Sequence, residues 1–145
     1  VIKKLVQAKQ GADLHTSTFD QMMAYEVVSD GFLDEHVKEI KETYRQRRDA
    51  MLTAMDQRFP DGTTWTRPQG GLFLWVRLPE GVDCEDLFKE AVEQKVAFVP
   101  GTAFYADGSG HDSLRLTFAT CPTDMIDEGI KRLGKAIIRG IKQAA

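Results

Sequence analysis

The segment Arg67-Pro68-Gln69-Gly70-Gly71, followed by Leu72-Phe73-Leu74-Trp75-Val76-Arg77-Leu78, constrains this chain more than any other. Proline fixes φ and removes a donor, and paired glycines admit positive φ or a close backbone approach. The run from Leu72 to Val76 is apolar at consecutive positions. Such a run predicts a central strand buried on both faces of a small sheet, closed by Pro79-Glu80-Gly81. A second segment, Ser113 to Ala119, alternates instead. Leu114, Leu116 and Phe118 share one face, and Arg115 and Thr117 share the other. An arginine held in mid-strand cannot wander as a loop arginine can. The two segments together predict a small α/β layer that presents one fixed guanidinium.

The remaining pattern places helices around that layer. Val1 to Gln10 has helical spacing, with Gly11 as its expected end. A polar corner, Asp13 to Ser17, contains His15. Ser17 or Thr18 then caps a helix carrying Phe19, Met22, Met23 and Val27, which Asp30-Gly31 breaks. Leu33, Val37, Ile40, Tyr44, Met51, Met55 and Phe59 mark a long helix ended by Pro60-Asp61-Gly62. Thr63 to Thr66 suits a short strand, and Asp83 caps a helix with Leu87, Phe88, Ala91 and Val92 as its stripe. Val96 to Val99 reads as a strand stopped by Pro100-Gly101. Pro122 opens a terminal helix with Ile126, Ile130, Leu133, Ile137 and Ile141 on one face. A few strands covered by helices on one face make a two-layer α/β (α+β) domain. The two N-terminal helices have no sheet of their own and read as a remnant of a neighbouring domain.

The 145 residues fit one domain or a domain plus an arm. Apolar residues make up 42% and charged residues 28%, enough for a core and a soluble surface. A net charge of −3 with dispersed Lys and Arg offers no nucleic-acid surface in this piece. No apolar run approaches a membrane-spanning length, and no secretory signal pattern opens the chain. Cys84 and Cys121 lack metal spacing and read as reduced thiols of a cytoplasmic protein. The opening Val1-Ile2-Lys3-Lys4-Leu5 has no methionine and reads as mid-helix, so an excised piece of a longer protein is expected.

Arg115 is the candidate site residue. A guanidinium fork matches a carboxylate with two parallel, charge-assisted hydrogen bonds. The alternative is an ordinary ion pair with a surface Asp or Glu. His15 has no second ligand at metal spacing, and His36 and His111 read as solvated. Gly70-Gly71 and Gly108-Ser109-Gly110 lack the strand-to-helix context of a phosphate loop. Trp65, Phe73, Trp75 and Phe118 read as core. The residues alone allow no catalytic or metal-ligating assignment.

Four segments in order are similar to the C-terminal portion of the class I/II pyridoxal-phosphate aminotransferases of fold type I. They are Val6 to Ser17, Arg67 to Trp75, Val99 to Phe104 and Leu114 to Ala119. The likeness covers essentially the whole chain. It points to the branch with 2-aminoadipate and kynurenine-type aminotransferases and to the aminotransferase-like domains of MocR-type regulators. The resemblance implies transfer of an amino group between an amino acid and a 2-oxo acid, with pyridoxal 5'-phosphate as electron sink. It implies that Arg115 binds the substrate α-carboxylate. Residues 1–31 would belong to the cofactor-binding large domain and 32–145 to the small domain that closes over the substrate. The family's Schiff-base lysine lies before the region matched by Val1, and no lysine here stands in its Ser-x-x-Lys context. The pyridinium aspartate and most phosphate ligands would also lie upstream. The piece alone is therefore expected to be inactive and to hold no cofactor covalently, with the parent a homodimer. The alternatives are an effector-sensing domain of a MocR-type transcriptional regulator and a free-standing amino-acid-binding module.

Overall fold

A computed structural model describes residues 1–144. The chain divides into two units, Val1–Lys41 and Glu42–Ala145. The first holds α1 (Ile2–Ala12), α2 (Thr18–Val28) and the start of α3 (Phe32–Arg58). Ser17 caps α2 by accepting the Asp20 N–H at 3.4 Å. Gly11 does not end α1 as expected. The helix continues to Ala12 and stops where Asp13 turns extended, its N–H donating to Lys9 O at 2.7 Å. Neither α1 nor α2 buries a residue, and Leu5, Phe19, Met22 and Met23 are all more than half exposed.

The second unit contains the sheet. Its strands are β1 (Thr64–Trp65), β2 (Phe73–Arg77), β3 (Val99–Pro100) and β4 (Ser113–Thr117). They lie in the order β1-β2-β4-β3, and every neighbouring pair is antiparallel. Helices α4 (Cys84–Glu93) and α5 (Thr123–Ala144) and the second half of α3 contribute to one core with the sheet. Leu74, Val76, Leu114 and Leu116 supply its sheet side; Met55, Leu87, Ala91 and Leu133 come from the helices. Ile126, Ile130, Leu133 and Ile137 are all buried, so the stripe read in α5 is its packed face. Each such side chain contributes about 1.5–3 kcal/mol relative to exposure. This is the two-layer α/β arrangement that the pattern predicts.

Two readings of the strands change. The strand expected to be buried on both faces is buried on one. Along β2, Leu74 and Val76 are fully buried, while Phe73 is 47% exposed and Trp75 half-buried. The apolar run is continuous because its outer face carries aromatic residues. The strand read over Val96 to Val99 is also shorter, and only Val99 and Pro100 pair with β4. The C-terminus of α4 uses the missing length. Lys95 adopts φ 63°, its N–H reaches Val92 O at 2.9 Å, and Val96 N–H reaches Ala91 O at 2.9 Å. This double closure satisfies the helix's last carbonyls and withholds Val96 from the sheet. Pro100 then suits the edge position, where its missing N–H costs no ladder bond.

Two contacts fix the ends of the layer. Gly101 begins a 3-10 turn (Gly101–Phe104) packed so tightly on β4 that an added Cβ would lie 2.7 Å from Ser113 O and against Gly110 O. Gly101→Ala should therefore destabilise the fold by about 1–3 kcal/mol, read from the midpoint and slope of urea unfolding. Asp83 caps α4, its Oδ1 accepting Glu85 N–H at 2.7 Å and Asp86 N–H at 3.3 Å, with His111 Nδ1 2.8 Å from its Oδ2. Partial burial pushes its carboxyl up. The Glu85 N–H, His111 and the Asp86 N–H outweigh this and hold it below the ordinary value of 3.8. A carboxyl lowered in the folded chain contributes stability that is whole above that ordinary value and fades as pH falls through the lowered one. As pH falls below about 4, Asp83→Asn should lose stability less steeply than the parent chain. Parallel acid limbs would refute this.

Candidate substrate-binding site

The helices cover only one face of the sheet, so the alternation of β4 sends Arg115 to the open one. Leu114 and Leu116 are 0% and 6% exposed; Arg115 between them is half-buried on the opposite side. Arg115 sits between β2 and β3, paired in register with Trp75 and Val99. On that face Thr117 lies opposite Phe73, and its hydroxyl donates to Leu72 O at 3.0 Å. The guanidinium carbon lies 4.1 Å from the centroid of the Phe73 ring and 4.8 Å from that of Phe104. Phe104 in turn packs edge-on against Trp75 at 5.3 Å.

Most other arginines of the described residues pair with carboxylates. Arg77 pairs with Asp112 at 3.3 Å, Arg132 with Glu128 at 2.9 Å and Arg139 with Glu90 at 3.0 Å. Arg115 has no carboxylate partner among the described residues. Arg115 also lines a cavity of about 350 Å³ whose wall includes Phe73, Lys95 and Phe98 and, from the helix-covered side, Leu116, Ile126, Ile130 and Leu133. The lining is largely apolar, with two cations and no carboxylate. Such a place suits a molecule with an acidic end and an apolar body.

The other candidates fall elsewhere. His15 lies in the first unit, exposed, with Nδ1 2.8 Å from Thr16 O. His111 is not simply solvated as read; it is bonded to the cap Asp83. Both cysteines are free thiols, and no cluster of ligands able to hold a metal occurs among the described residues. Gly71 takes φ 78° in the turn into β2, a conformational role. Phe118 is core at 2% exposure, but Phe73 is not: it forms a platform for Arg115. Sequence reasoning missed both Phe73 and Phe104. The available signal was that Phe73 and Trp75 share one parity of β2, the parity that faces Arg115 once the register is known.

Pyridoxal phosphate needs an enclosed lysine and a carboxylate for its ring nitrogen. The residues present do not fit that demand. Lys95, the lysine of the cavity, is exposed, and the lining offers no acid. No chemical step is assigned to the cofactor from this chain.

Residues 1–133 match the family described as aminotransferase class I and II. The 2-aminoadipate transaminase of Thermus thermophilus is 47% identical over 136 residues, covering 94% of this chain and 34% of that protein. The crystal structure of LysN, the alpha-aminoadipate aminotransferase of Thermus thermophilus complexed with N-(5'-phosphopyridoxyl)-L-leucine, superposes with a TM-score of 0.85 at 45% identity. The match covers 98% of this chain and 36% of that one. An HTH-type transcriptional regulator of Bacillus subtilis, YisV, is 29% identical over 131 residues, covering 90% of this chain and 27% of the regulator. The chain thus spans about a third of the length of the curated relatives it matches. With the family match running through nearly all of the sequence, this chain belongs to the class I and II aminotransferases.

Proposed function

We propose that this chain is the C-terminal portion of an aminotransferase that moves an amino group between an amino acid and a 2-oxo acid, and that Arg115 holds the substrate α-carboxylate. One observation carries the reading: a strand-anchored, half-buried guanidinium without an acidic partner, beside an apolar cavity. A guanidinium kept without a carboxylate, where most other arginines of the described residues have one, suits an anion that arrives from outside. The planar fork would take the carboxylate with two parallel N–H···O bonds, fixing the position and rotation of the substrate. Fixing both turns a diffusive encounter into an oriented one. The apolar cavity wall would shed water from the bound acid and strengthen that pair.

Pyridoxal phosphate, bound by residues outside this chain, would supply the electron sink of the reaction. Residues 1–31 would belong to the domain that binds it. The exposed Phe19, Met22 and Met23 on α2 support that placement, because apolar side chains of this size suit a covered surface. Residues 32–145 would form the small domain that closes over the substrate. The parent would act in the cytoplasm as a homodimer, as the family likeness implies. A sensor reading rests on the likeness to the Bacillus subtilis regulator. The higher identity to an aminotransferase favours the enzyme, and a DNA-binding module upstream of Val1 would decide for the regulator.

In the full-length protein, Arg115→Ala should lower kcat/KM by a factor equivalent to about 2–5 kcal/mol. Arg115→Lys should also be costly, because a point charge does not reproduce the fork. Unchanged kcat/KM in Arg115→Ala removes the assignment. Mixed with pyridoxal phosphate, the 145-residue chain should give no stoichiometric, borohydride-reducible absorbance band. Such a band would place the Schiff-base lysine within this chain.

A further inference from the structure

Granting the carboxylate role of Arg115, we propose that Phe73 and Phe104 are its positioning residues. They hold the guanidinium by their ring faces and leave its donors and its charge for the incoming carboxylate. The guanidinium carbon lies within 4.1 Å and 4.8 Å of the two ring centroids, inside the range of cation–π attraction. Arginine has a long side chain whose rotamer freedom must be lost on binding. Most arginines of this chain lose it by pairing with an acid, as Arg132 does with Glu128. An acid partner at Arg115 would compete with the substrate for the same fork. A phenyl ring has no acceptor to offer, so it restrains the group without neutralising it.

Core packing does not explain these two rings. Phe73 is 47% exposed and Phe104 is 45% exposed, on the face of the sheet that the helices leave open. Their placement is nevertheless built. Phe73 is in the strand beside β4, diagonal to Arg115 across the Trp75 pair. Phe104 ends the 3-10 turn, which Gly101 seats on Ser113 and which Thr102 ties to α4 by donating to the Glu85 carboxylate. Trp75 then meets the Phe104 ring edge-on at an interplanar angle of 78°. Two separate segments converge on the guanidinium that β4 carries, and the two rings come from the Gly-Gly corner strand and the Pro-Gly turn.

Two measurements test this. The first is NMR of the 145-residue chain, where ring currents should move the Arg115 side-chain protons upfield. Phe73→Leu and Phe104→Leu should each remove part of that shift at an unchanged unfolding midpoint, and Phe73→Tyr should restore it. The second is steady-state kinetics of the full-length aminotransferase. Each leucine variant should raise KM for amino acid and 2-oxo acid by about 3- to 10-fold with kcat nearly unchanged, since uniform binding is what is lost. In an Arg115→Ala background the same leucine substitution should cost nothing more. Unshifted Arg115 protons, or a leucine cost that persists without Arg115, overturn the positioning role alone. A silent Arg115→Ala overturns the carboxylate reading itself and leaves the rings nothing to position.

Discussion

One-sided burial of the sheet is the constraint on which the rest depends. β4 gives the apolar core one parity of its residues, Leu114 and Leu116; of the other parity Ser113 is buried against Gly101, while Arg115 and Thr117 are not. A slip of one residue would drive Arg115 into the core and expose both leucines. Burying an unpaired guanidinium costs several kcal/mol, and the lost apolar burial adds to it. The hydrophobic effect that holds the layer together therefore also sets the direction of Arg115. On the proposed reading, packing and binding are the two faces of a single five-residue strand.

Much of this was legible from the residues because the signals were periodic. The stripe of Ile126, Ile130, Leu133 and Ile137 and the alternation of β4 each reported a buried face directly. Asp83 was legible as a cap because its short acceptor side chain stands just before an amphipathic run. Phe73 misled for a physical reason. A phenylalanine that restrains a cation and one that fills a core look alike in a sequence, and only the register between β2 and β4 separates them. Lys95 misled too. Nothing in its identity announces a positive φ, which glycine or asparagine would have signalled, so the helix closure that shortens β3 was invisible. Gly11 shows the converse: a glycine without a positive φ is only a weak interruption, and α1 passes through it.

The two units differ in how far they account for themselves. The unit from Glu42 onward contains a closed core with side chains at zero exposure. The unit up to Lys41 contains none, though its helices carry large apolar residues. The two compact units meet within the length of α3. A glycine corner marks where the backbone turns; a unit boundary marks where burial begins. Along α3 those two are distinct, since Leu33 is 46% exposed and Met55 is fully buried on one uninterrupted helix.

A binding arginine faces opposed demands. It must be held still, which ordinarily calls for hydrogen-bond acceptors, and it must stay unsatisfied, which forbids them. Water alone meets the second demand and fails the first. A fixed carboxylate meets the first and fails the second, as the paired Arg139 and Glu90 illustrate. Aromatic faces answer both, because their attraction acts on the plane of the guanidinium while acceptors act on its edge. Such faces must stand on the open side of the sheet, where they resemble misplaced core. On the proposed reading, the exposure of Phe73 and Phe104 is the expected cost of holding Arg115 fixed and charged for a substrate carboxylate.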